Sequence, residues 1–430
     1  MRISQCMIVK YEESNIRRAL QWGKGIVWEQ IVVDTGSKDR TVELAESMGA
    51  RVYHFSWIDD FAAAKNYAIE RAEGEWIIFL DADEYFSAGD AQKVAILLEQ
   101  LENTETDSVM TSWVTLMEDG TVSAIGSQIR IFRNRPEIRY KRRIHEQLVA
   151  ENGIRALHML DATGNLFILH TGYAGEAYAH KSATRRNLCL IQKELEEHPD
   201  DYELLGYLGD EYSSQGSIGD AVRSYRRAIH QMPPVLSDQD GRSAATFSNL
   251  LRLMTEGEES EDEIEQIYQK AVALLPKDGD FDYIVGRYYA FCGNYVKGGQ
   301  YLEQAVEKLG QYGTCNRSML LGGQLSSAYE AMAICFFQEK NEEKAVYYST
   351  AVLKHDPYSA TALVVLLKVL KGERAVPLTP ETQVVDFLKE IYDVKSPKDK
   401  MILLKTAKKI GWARLEKKLD EEFIAAFTET

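Results

Sequence analysis

The spacing of apolar residues changes near residue 185, and this change divides the chain into two kinds of structure. Before it, short apolar runs alternate with segments of helical spacing. Such alternation predicts a largely parallel β-sheet with helical crossovers. After it, apolar positions recur at helical spacing almost without interruption. No clear helix separates the later strand runs near residues 108–117, 127–132 and 165–169, so the second part of the sheet should be mixed and partly antiparallel. We therefore predict an α/β domain with a mixed sheet, followed by an all-α region.

The helical region carries a long-period repeat. Pro199 precedes the first pattern of small and aromatic residues, and Pro276 and Pro357 end later ones; the three prolines stand 77 and 81 positions apart. Each interval is about two tetratricopeptide units of roughly 34 residues plus insertions. We expect an α/β domain at 1–180, a tetratricopeptide-like α-solenoid at 181–376 and a helical cap at 377–430.

Charge and composition exclude several classes of protein. The 430 residues carry a formal net charge of −16, which disfavours a general nucleic-acid or anionic-membrane binder. No apolar run approaches the roughly 20 residues of a transmembrane helix, and residues 1–15 lack the pattern of a signal peptide. The five cysteines form no paired motif, as in a reducing compartment. We therefore expect a cytoplasmic protein with no nucleic-acid partner.

Acidic residues follow two of the predicted strands. In open α/β sheets, ligands bind beyond the carboxyl ends of the strands. Asp81 and Asp83 follow the apolar run Trp76–Leu80, and paired carboxylates at such a place suit Mg²⁺ or Mn²⁺. Asp34 ends the run Gln30–Asp34, where a carboxylate can accept a hydrogen bond from a base or a ribose. The alternative is that these acids cap the helices that follow them.

Four motifs in order carry a family resemblance. CMIVKYEE, VVDTGSKDRT, DFAAAKN and WIIFLDADE, within residues 3–90, resemble the nucleotide-sugar half of glycosyltransferase family 2, which has the GT-A fold. Two positions depart from the family pattern, Tyr11 for a common Asn and Lys65 for the usual Arg. The resemblance implies that Asp34 contacts the base and that Asp81 and Asp83 hold Mn²⁺ or Mg²⁺. It also implies that the donor is contacted by Val9, Glu12, Lys65, Asn66, Asp81 and Ala82. A solvated lysine is the alternative for Lys65.

A second group of motifs lies downstream. The stretch from Arg130 to Arg143 carries seven basic side chains and one acidic one, which form either an exposed hairpin or an anion site. The pattern R-x-F-R, H-E-x and H-x-G-Y resembles family 2 enzymes fused to tetratricopeptide repeats, such as sublancin-type peptide S-glycosyltransferases and inner-core lipopolysaccharide glucosyltransferases. This implies Glu146 as general base, with His145 as the alternative, and His170 as a metal ligand, with a structural histidine as the alternative. It also implies that Lys181 and Arg185 close on the diphosphate, the alternative being a salt bridge to the solenoid.

Together these features predict an inverting, metal-dependent glycosyltransferase. We expect the donor to be a UDP-hexose and the acceptor to be a peptide or protein side chain recruited by the repeats. One alternative is a polysaccharide or lipid-linked glycan acceptor, with repeats that form a homodimer. Another is a non-catalytic repeat scaffold, although Asp34, Asp81 and Asp83 argue against a decayed site.

Overall fold

The structure is a computed structural model that describes residues 1–171, 185–257, 259–314, 316–372, 379–393 and 395–428. Two compact units divide the chain, Met1–Met232 and Pro233–Thr430. The predicted boundary near residue 180, drawn from the change in apolar spacing, stays a prediction. No helix within the described residues combines the length and apolar character needed to cross a membrane.

The first unit contains a mixed sheet, as the sequence predicted. Nine strands form it, in the order β3-β2-β1-β4-β7-β6-β11-β5 with β10 against β6, and β8 and β9 form a separate hairpin. The strands are β1 (Ile3–Val9), β2 (Glu29–Asp34), β3 (Arg51–His54), β4 (Trp76–Phe79), β5 (Glu84–Phe86), β6 (Ser108–Leu116), β7 (Val122–Arg133), β8 (Ile138–Lys141), β9 (Gln147–Ala150), β10 (Met159–Asp161) and β11 (Phe167–His170).

The centre of this sheet is parallel and buried. β1 pairs in parallel with β2 and with β4, so the carboxyl ends of these three strands meet at one edge. The four crossover helices are α1 (Ile16–Gln21), α2 (Thr41–Ser47), α3 (Phe61–Ile69) and α4 (Ala88–Gln100). β7 adds antiparallel pairing to β4 and β6, which agrees with the mixed second half that the sequence predicted. The sequence patterns predicted none of β5, β10 and α4, whereas the hairpin alternative for the basic stretch at 130–143 agrees in part with the β8–β9 hairpin.

Among the described residues that follow the sheet, three helices complete the first unit: α5 (Arg186–Glu197), α6 (Tyr202–Ser214) and α7 (Ile218–Gln231). Asp201 caps α6, since its carboxylate accepts the backbone N–H groups of Glu203 and Leu204 at 3.1 Å each. Leucines of α5 and α6 form one apolar cluster with Ile144, which precedes β9 in the chain. This cluster packs the helices against the segment that links β8 to β9.

The second unit is helical throughout its described residues, and adjacent helices in sequence pack in pairs. Close helix packing depends on small residues: a Cβ added at Gly286 would lie 2.9 Å from Leu302 Cγ. This agrees with the predicted repeat region. Its helices are α8 (Gly241–Glu256), α9 (Glu261–Leu274), α10 (Asp280–Phe291), α11 (Tyr295–Tyr312), α12 (Met319–Gly323), α13 (Leu325–Gln338), α14 (Glu342–His355), α15 (Ala360–Lys371), α16 (Glu381–Leu388), α17 (Pro397–Lys409) and α18 (Ala413–Thr428).

Candidate active site

A cavity of about 810 Å³ opens in the first unit at the carboxyl ends of β1 and β4. This volume lies within the roughly 300–1,000 Å³ of typical ligand pockets. Strand ends and the turn after β4 form one wall, and residues of α3, α5 and α6 form the others. Most of the residues singled out from the sequence line it: Val9, Glu12, Lys65, Asp81, Ala82, Asp83, Glu146, His170 and Arg185.

The turn after β4 brings Asp83 next to His170. The backbone N–H of Glu84 donates to the Asp81 carbonyl at 3.0 Å, which closes the turn and starts β5. β5 pairs with β11 so that Glu84 stands opposite His170. Asp83 Oδ2 consequently lies 3.5 Å from His170 Nε2, and both residues are buried. The imidazole also stacks on the Trp113 ring, with centroids 4.3 Å apart.

Lys65 joins two of the predicted acidic residues. The N-cap of α3 is Asp60, which accepts from Ala63 N at 2.8 Å, and α3 directs Lys65 toward the end of β4. Its ammonium is buried, contacts the Glu146 carboxylate and lies 3.5 Å from Asp81 Oδ1. Burial alone would lower the pKa of Lys65, but the Asp81 and Glu146 carboxylates raise it above its ordinary value. The ammonium therefore stays charged and is not solvated, and the predicted contact of Lys65 with the donor stays a prediction.

Arg130 occupies the opposite side of Asp81. Its Nη2 lies 3.0 Å from Asp81 Oδ2 and 2.6 Å from Glu84 Oε1, and Glu84 also accepts the Trp113 indole N–H at 2.8 Å. Burial raises the pKa of Glu84 against the opposing effect of Arg130. Burial also opposes ionisation of Asp81, yet Lys65 and Arg130 hold the pKa of Asp81 well below its ordinary value. Two cations thus neutralise Asp81.

Glu146 reaches the same cavity from the segment before β9. Its side chain is 15% exposed and its only described ion-pair partner is Lys65. Burial alone would raise the pKa of Glu146, but Lys65 outweighs it and holds that pKa below its ordinary value. A partly buried carboxylate that is ionised at neutral pH and faces a ligand cavity can accept a proton from a bound nucleophile.

Two arginines line the cavity without an ion-pair partner among the described carboxylates. Arg185 precedes α5, and Arg186 begins it. The Arg186 guanidinium lies over the Phe61 ring, 5.2 Å from its centroid, and donates to Asn187 Oδ1 at 3.2 Å. Burial lowers the pKa of Arg186, which nevertheless remains a cation. Guanidinium groups that have no carboxylate partner among the described residues suit an anionic ligand.

Two predicted donor contacts lie away from the cavity wall. The Asp34 carboxylate accepts the backbone N–H groups of Gly36 and Ser37 at 3.1 Å, so it caps its own turn. The Asn66 side chain exchanges two hydrogen bonds with the backbone of Tyr140, at 2.8 and 2.9 Å. This geometry favours structural roles for both, and their donor roles stay predictions. Lys181 lies outside the described residues.

The basic stretch is largely structural. Arg135 pairs with buried Asp107 at 2.9 Å, and Arg133 donates to the carbonyl of Leu101 and lies over the Trp76 ring. Arg142 and Arg143 pair with acidic residues of α5 and α6 or their caps. Of the seven basic side chains, Arg130 is the one that lines the cavity. The R-x-F-R motif singled out Arg130 and Arg133 together, and nothing in the sequence separated these two from each other.

Two of the three predicted metal ligands, Asp83 and His170, lie next to each other. Among the described residues, no group of three or more His, Cys, Asp or Glu is placed to hold a metal ion. The 3.5 Å between Asp83 Oδ2 and His170 Nε2 is close to the spacing of two ligands that share one ion, about 3 Å for bonds of about 2.1 Å. A carboxylate oxygen and an imidazole nitrogen therefore fit a divalent cation here. A metal role for Asp81, which two cations already neutralise, stays a prediction.

Several residues of the cavity were missed from the sequence. Glu84 and Trp113 hold Arg130 and His170, and Tyr207 contributes an aromatic ring from α6. The run DADE contained Glu84, and its position after two candidate acids was the available signal. Tyr207 belongs to the pattern of the helical repeats, which gave no indication that it faces a cavity beside the sheet.

Comparison with known proteins finds one matching family model and several related sequences. The family model for Glycosyl transferase family 2 matches residues 4–175. A TPR repeat-containing protein from Synechococcus elongatus is 30% identical over 339 residues, which cover 77% of this chain and 74% of that protein. The SPbeta prophage-derived glycosyltransferase SunS from Bacillus subtilis is 28% identical over 228 residues, which cover 52% of this chain and 53% of SunS. The part of the chain that matches thus spans about half the length of SunS.

Likeness to solved structures is weak. A fragment of S. aureus TarS in complex with UDP-GlcNAc aligns with a TM-score of 0.36 and 15% identity, covering 63% of this chain and 88% of that one. A similarity at this level supports no inference about donor or acceptor.

Proposed function

Since the chain belongs to the glycosyl transferase family 2 proteins that also carry tetratricopeptide repeats, we propose that it transfers a sugar from a nucleoside diphosphate donor to an acceptor nucleophile. The observation that carries the proposal is the Glu146–Lys65–Asp81 array within one cavity at the carboxyl ends of the strands. It brings a candidate base beside the turn where the family resemblance puts the sugar diphosphate.

The donor is proposed to be a uridine diphosphate sugar. Arg185 and Arg186 would contact the diphosphate, because they are cavity cations with no described carboxylate partner. Lys65 and Arg130 are committed to carboxylates, so they would set the charge and orientation of Asp81 rather than bind phosphate.

Asp83 and His170 would hold a divalent cation, Mn²⁺ or Mg²⁺. When bound, such an ion neutralises the negative charge that develops on the departing diphosphate. Trp113 keeps the imidazole plane of His170 fixed by stacking, and Glu84 anchors the Trp113 indole through its N–H.

Glu146 is proposed as the general base. Its carboxylate would take the proton from the acceptor O–H or S–H while that atom bonds to the anomeric carbon. The bond from that carbon to the diphosphate oxygen breaks on the opposite face, so the configuration inverts. Lys65 keeps Glu146 ionised before the reaction, because a neighbouring ammonium stabilises the carboxylate.

The acceptor is proposed to be a polypeptide side chain. The resemblance to peptide S-glycosyltransferases with repeats supports this choice, and helical repeats commonly present extended surfaces to polypeptides. A glycan acceptor with repeats used for self-association is the alternative, and a screen with peptide and glycan acceptors separates the two.

The test begins with thermal shifts against UDP, GDP and a panel of their sugars, with and without Mn²⁺. A UDP-dependent shift that grows with Mn²⁺ and is lost in Asp83→Ala is expected. Release of UDP from the selected donor should then fall by about 10²–10⁴ in Glu146→Gln. Glu99→Gln, an exposed acid on α4, is the matched control. Full turnover by Glu146→Gln would refute the base, and an undiminished Mn²⁺ response in Asp83→Ala would refute the metal site.

A further inference from the structure

We propose that Tyr207, on helix α6, is a positioning residue for the reaction, and that it holds Glu146 in place through the ring of His145. The inference rests on the proposed role of Glu146 as base. It makes a helix outside the sheet part of the catalytic apparatus, which the family motifs did not anticipate.

The segment that carries Glu146 has an unfavourable backbone. Arg142 and His145 both adopt left-handed conformations, with φ values of 75° and 51°. A non-glycine residue is rarely found there, and such a conformation persists only where surrounding contacts over-determine it. Two such residues within four positions therefore need external partners to stay in this shape.

Those partners come from α5, α6 and the cap of α6. Arg142 is 2.7 Å from Asp201 Oδ2 and 2.5 Å from Glu203 Oε2, and Gln147 also donates to Glu203 at 2.5 Å. The backbone N–H of Arg143 donates to Glu194 at 3.2 Å. These charge-assisted contacts fix both ends of the segment, on either side of His145 and Glu146.

The middle of the segment is held by a stack of rings. The His145 and Tyr207 rings lie 3.5 Å apart at their centroids, with planes only 4° from parallel. Both rings line the cavity that Glu146 faces. Because His145 precedes Glu146 directly, a displacement of the His145 ring rotates the peptide that carries the Glu146 side chain.

The contribution of Tyr207 differs from that of the apolar contacts nearby. Ile144 already anchors the segment to the cluster that contains Leu188 and Ile191. Loss of the Tyr207 ring would therefore leave the segment attached and remove the contact that orients its next two residues. Misplacement of a catalytic group by about 1 Å is enough to lower a rate by roughly 10²-fold.

The experiment measures UDP release from the donor that the thermal-shift panel selects. We expect Tyr207→Ala to lower kcat by about 10- to 100-fold while the donor KM stays within about twofold of wild type. Tyr207→Phe keeps the ring and should retain most of the activity. In a Glu146→Gln background, Tyr207→Ala should cause no further loss, since it acts through a base that is already removed.

Tyr212→Ala is the matched control, because Tyr212 lies on the same helix and is not among the described residues that line the cavity. Its hydroxyl accepts a hydrogen bond from Gln192 Nε2 at 3.2 Å. Melting temperatures of both alanine variants are compared, and Tyr207→Leu replaces Tyr207→Ala if the latter does not fold. Unchanged kcat in the folded Tyr207 variant, or an undiminished loss in the Glu146→Gln background, overturns the inference. Full activity of Glu146→Gln by itself overturns the base instead.

Discussion

Lys65→Met removes the ammonium group that pairs with both Asp81 and Glu146. The Lys65 side chain is 2% exposed and its ammonium lies 5.2 Å from the centroids of Phe79 and Tyr140. Methionine has a similar length and keeps contact with these rings. The substitution therefore deletes the ammonium with little change in volume, and leaves Glu146 without its described ion-pair partner.

The expected cost at pH 7 is about 2–4 kcal/mol. Breaking a fully buried ion pair costs about 3–5 kcal/mol. The cost of losing Lys65 is expected to be lower than that of a fully buried pair, because Asp81 is 38% exposed and keeps Arg130 at 3.0 Å. The uncompensated charge is therefore mainly that of Glu146. For a unit of this size, that loss corresponds to a fall of roughly 4–16 °C in the melting temperature.

The pH dependence has a definite sign. Lys65 holds the folded-state pKa of Glu146 below its ordinary value of 4.5. The ion pair therefore stabilises the fold above pH 4.5 and loses its contribution as the pH falls through the folded-state pKa. The difference between wild type and Lys65→Met should be larger at pH 7 than at pH 4.

Differential scanning calorimetry at both pH values measures these shifts. Lys93→Met is the control, since the Lys93 side chain is 57% exposed where it pairs with Asp90, and its loss should change stability by about 1 kcal/mol or less. The double variant Lys65→Met/Glu146→Gln should recover part of the loss at pH 7, because no unpaired carboxylate then remains. A Lys65→Met protein within 0.5 °C of wild type at pH 7, or equally destabilised at both pH values, would refute this account.

Three further outcomes are expected. Arg185→Ala should raise the KM for the sugar nucleotide about tenfold with little change in kcat, and an unchanged KM in steady-state kinetics would contradict a role at the diphosphate. Gly286→Ala should cost about 1–3 kcal/mol in thermal unfolding because its Cβ would meet Leu302, whereas Gly310→Ala meets no atom within 4 Å and should stabilise by about 0.5–1 kcal/mol. Burial raises the pKa of Asp280 from 3.8 to about 6, so its ionisation opposes folding and stability should fall between pH 4 and 6 by up to about 1.4 kcal/mol per pH unit. Melting curves of Asp280→Asn should show a shallower fall over that range, and an equal slope would argue against Asp280 as the source.

Local patterns were enough for the order of elements. Strand β2 contains the predicted run Gln30–Asp34, and the predicted run Trp76–Leu80 contains β4. The change to helical spacing near residue 185 agrees with the start of α5. Periodicity of this kind depends on neighbours a few positions apart, so it is readable without knowledge of the fold.

Residues that follow the ends of strands could also be identified from the sequence. Asp81 and Asp83 follow a buried parallel strand, and the turn after such a strand lies at the edge where ligands bind. Asp34 ends strand β2 and Asn66 lies on helix α3, yet the side chains of both form hydrogen bonds with nearby backbone groups. Position at a strand end or on a helix does not reveal whether a side chain is already committed to its own surroundings.

The succession of an α/β region and a helical region could be predicted from local residue patterns, as could the strand edge that carries Asp81 and Asp83. Which charges meet at that edge depends on how the whole unit packs. Lys65 and Glu146 are 81 positions apart, and the helix that supplies Tyr207 follows the sheet by more than 30 residues. Hydrophobic periodicity is a local property of the chain, so it can be read from residues a few positions apart. Ion pairs and ring stacks form between distant segments, which only the packing of the whole unit brings together.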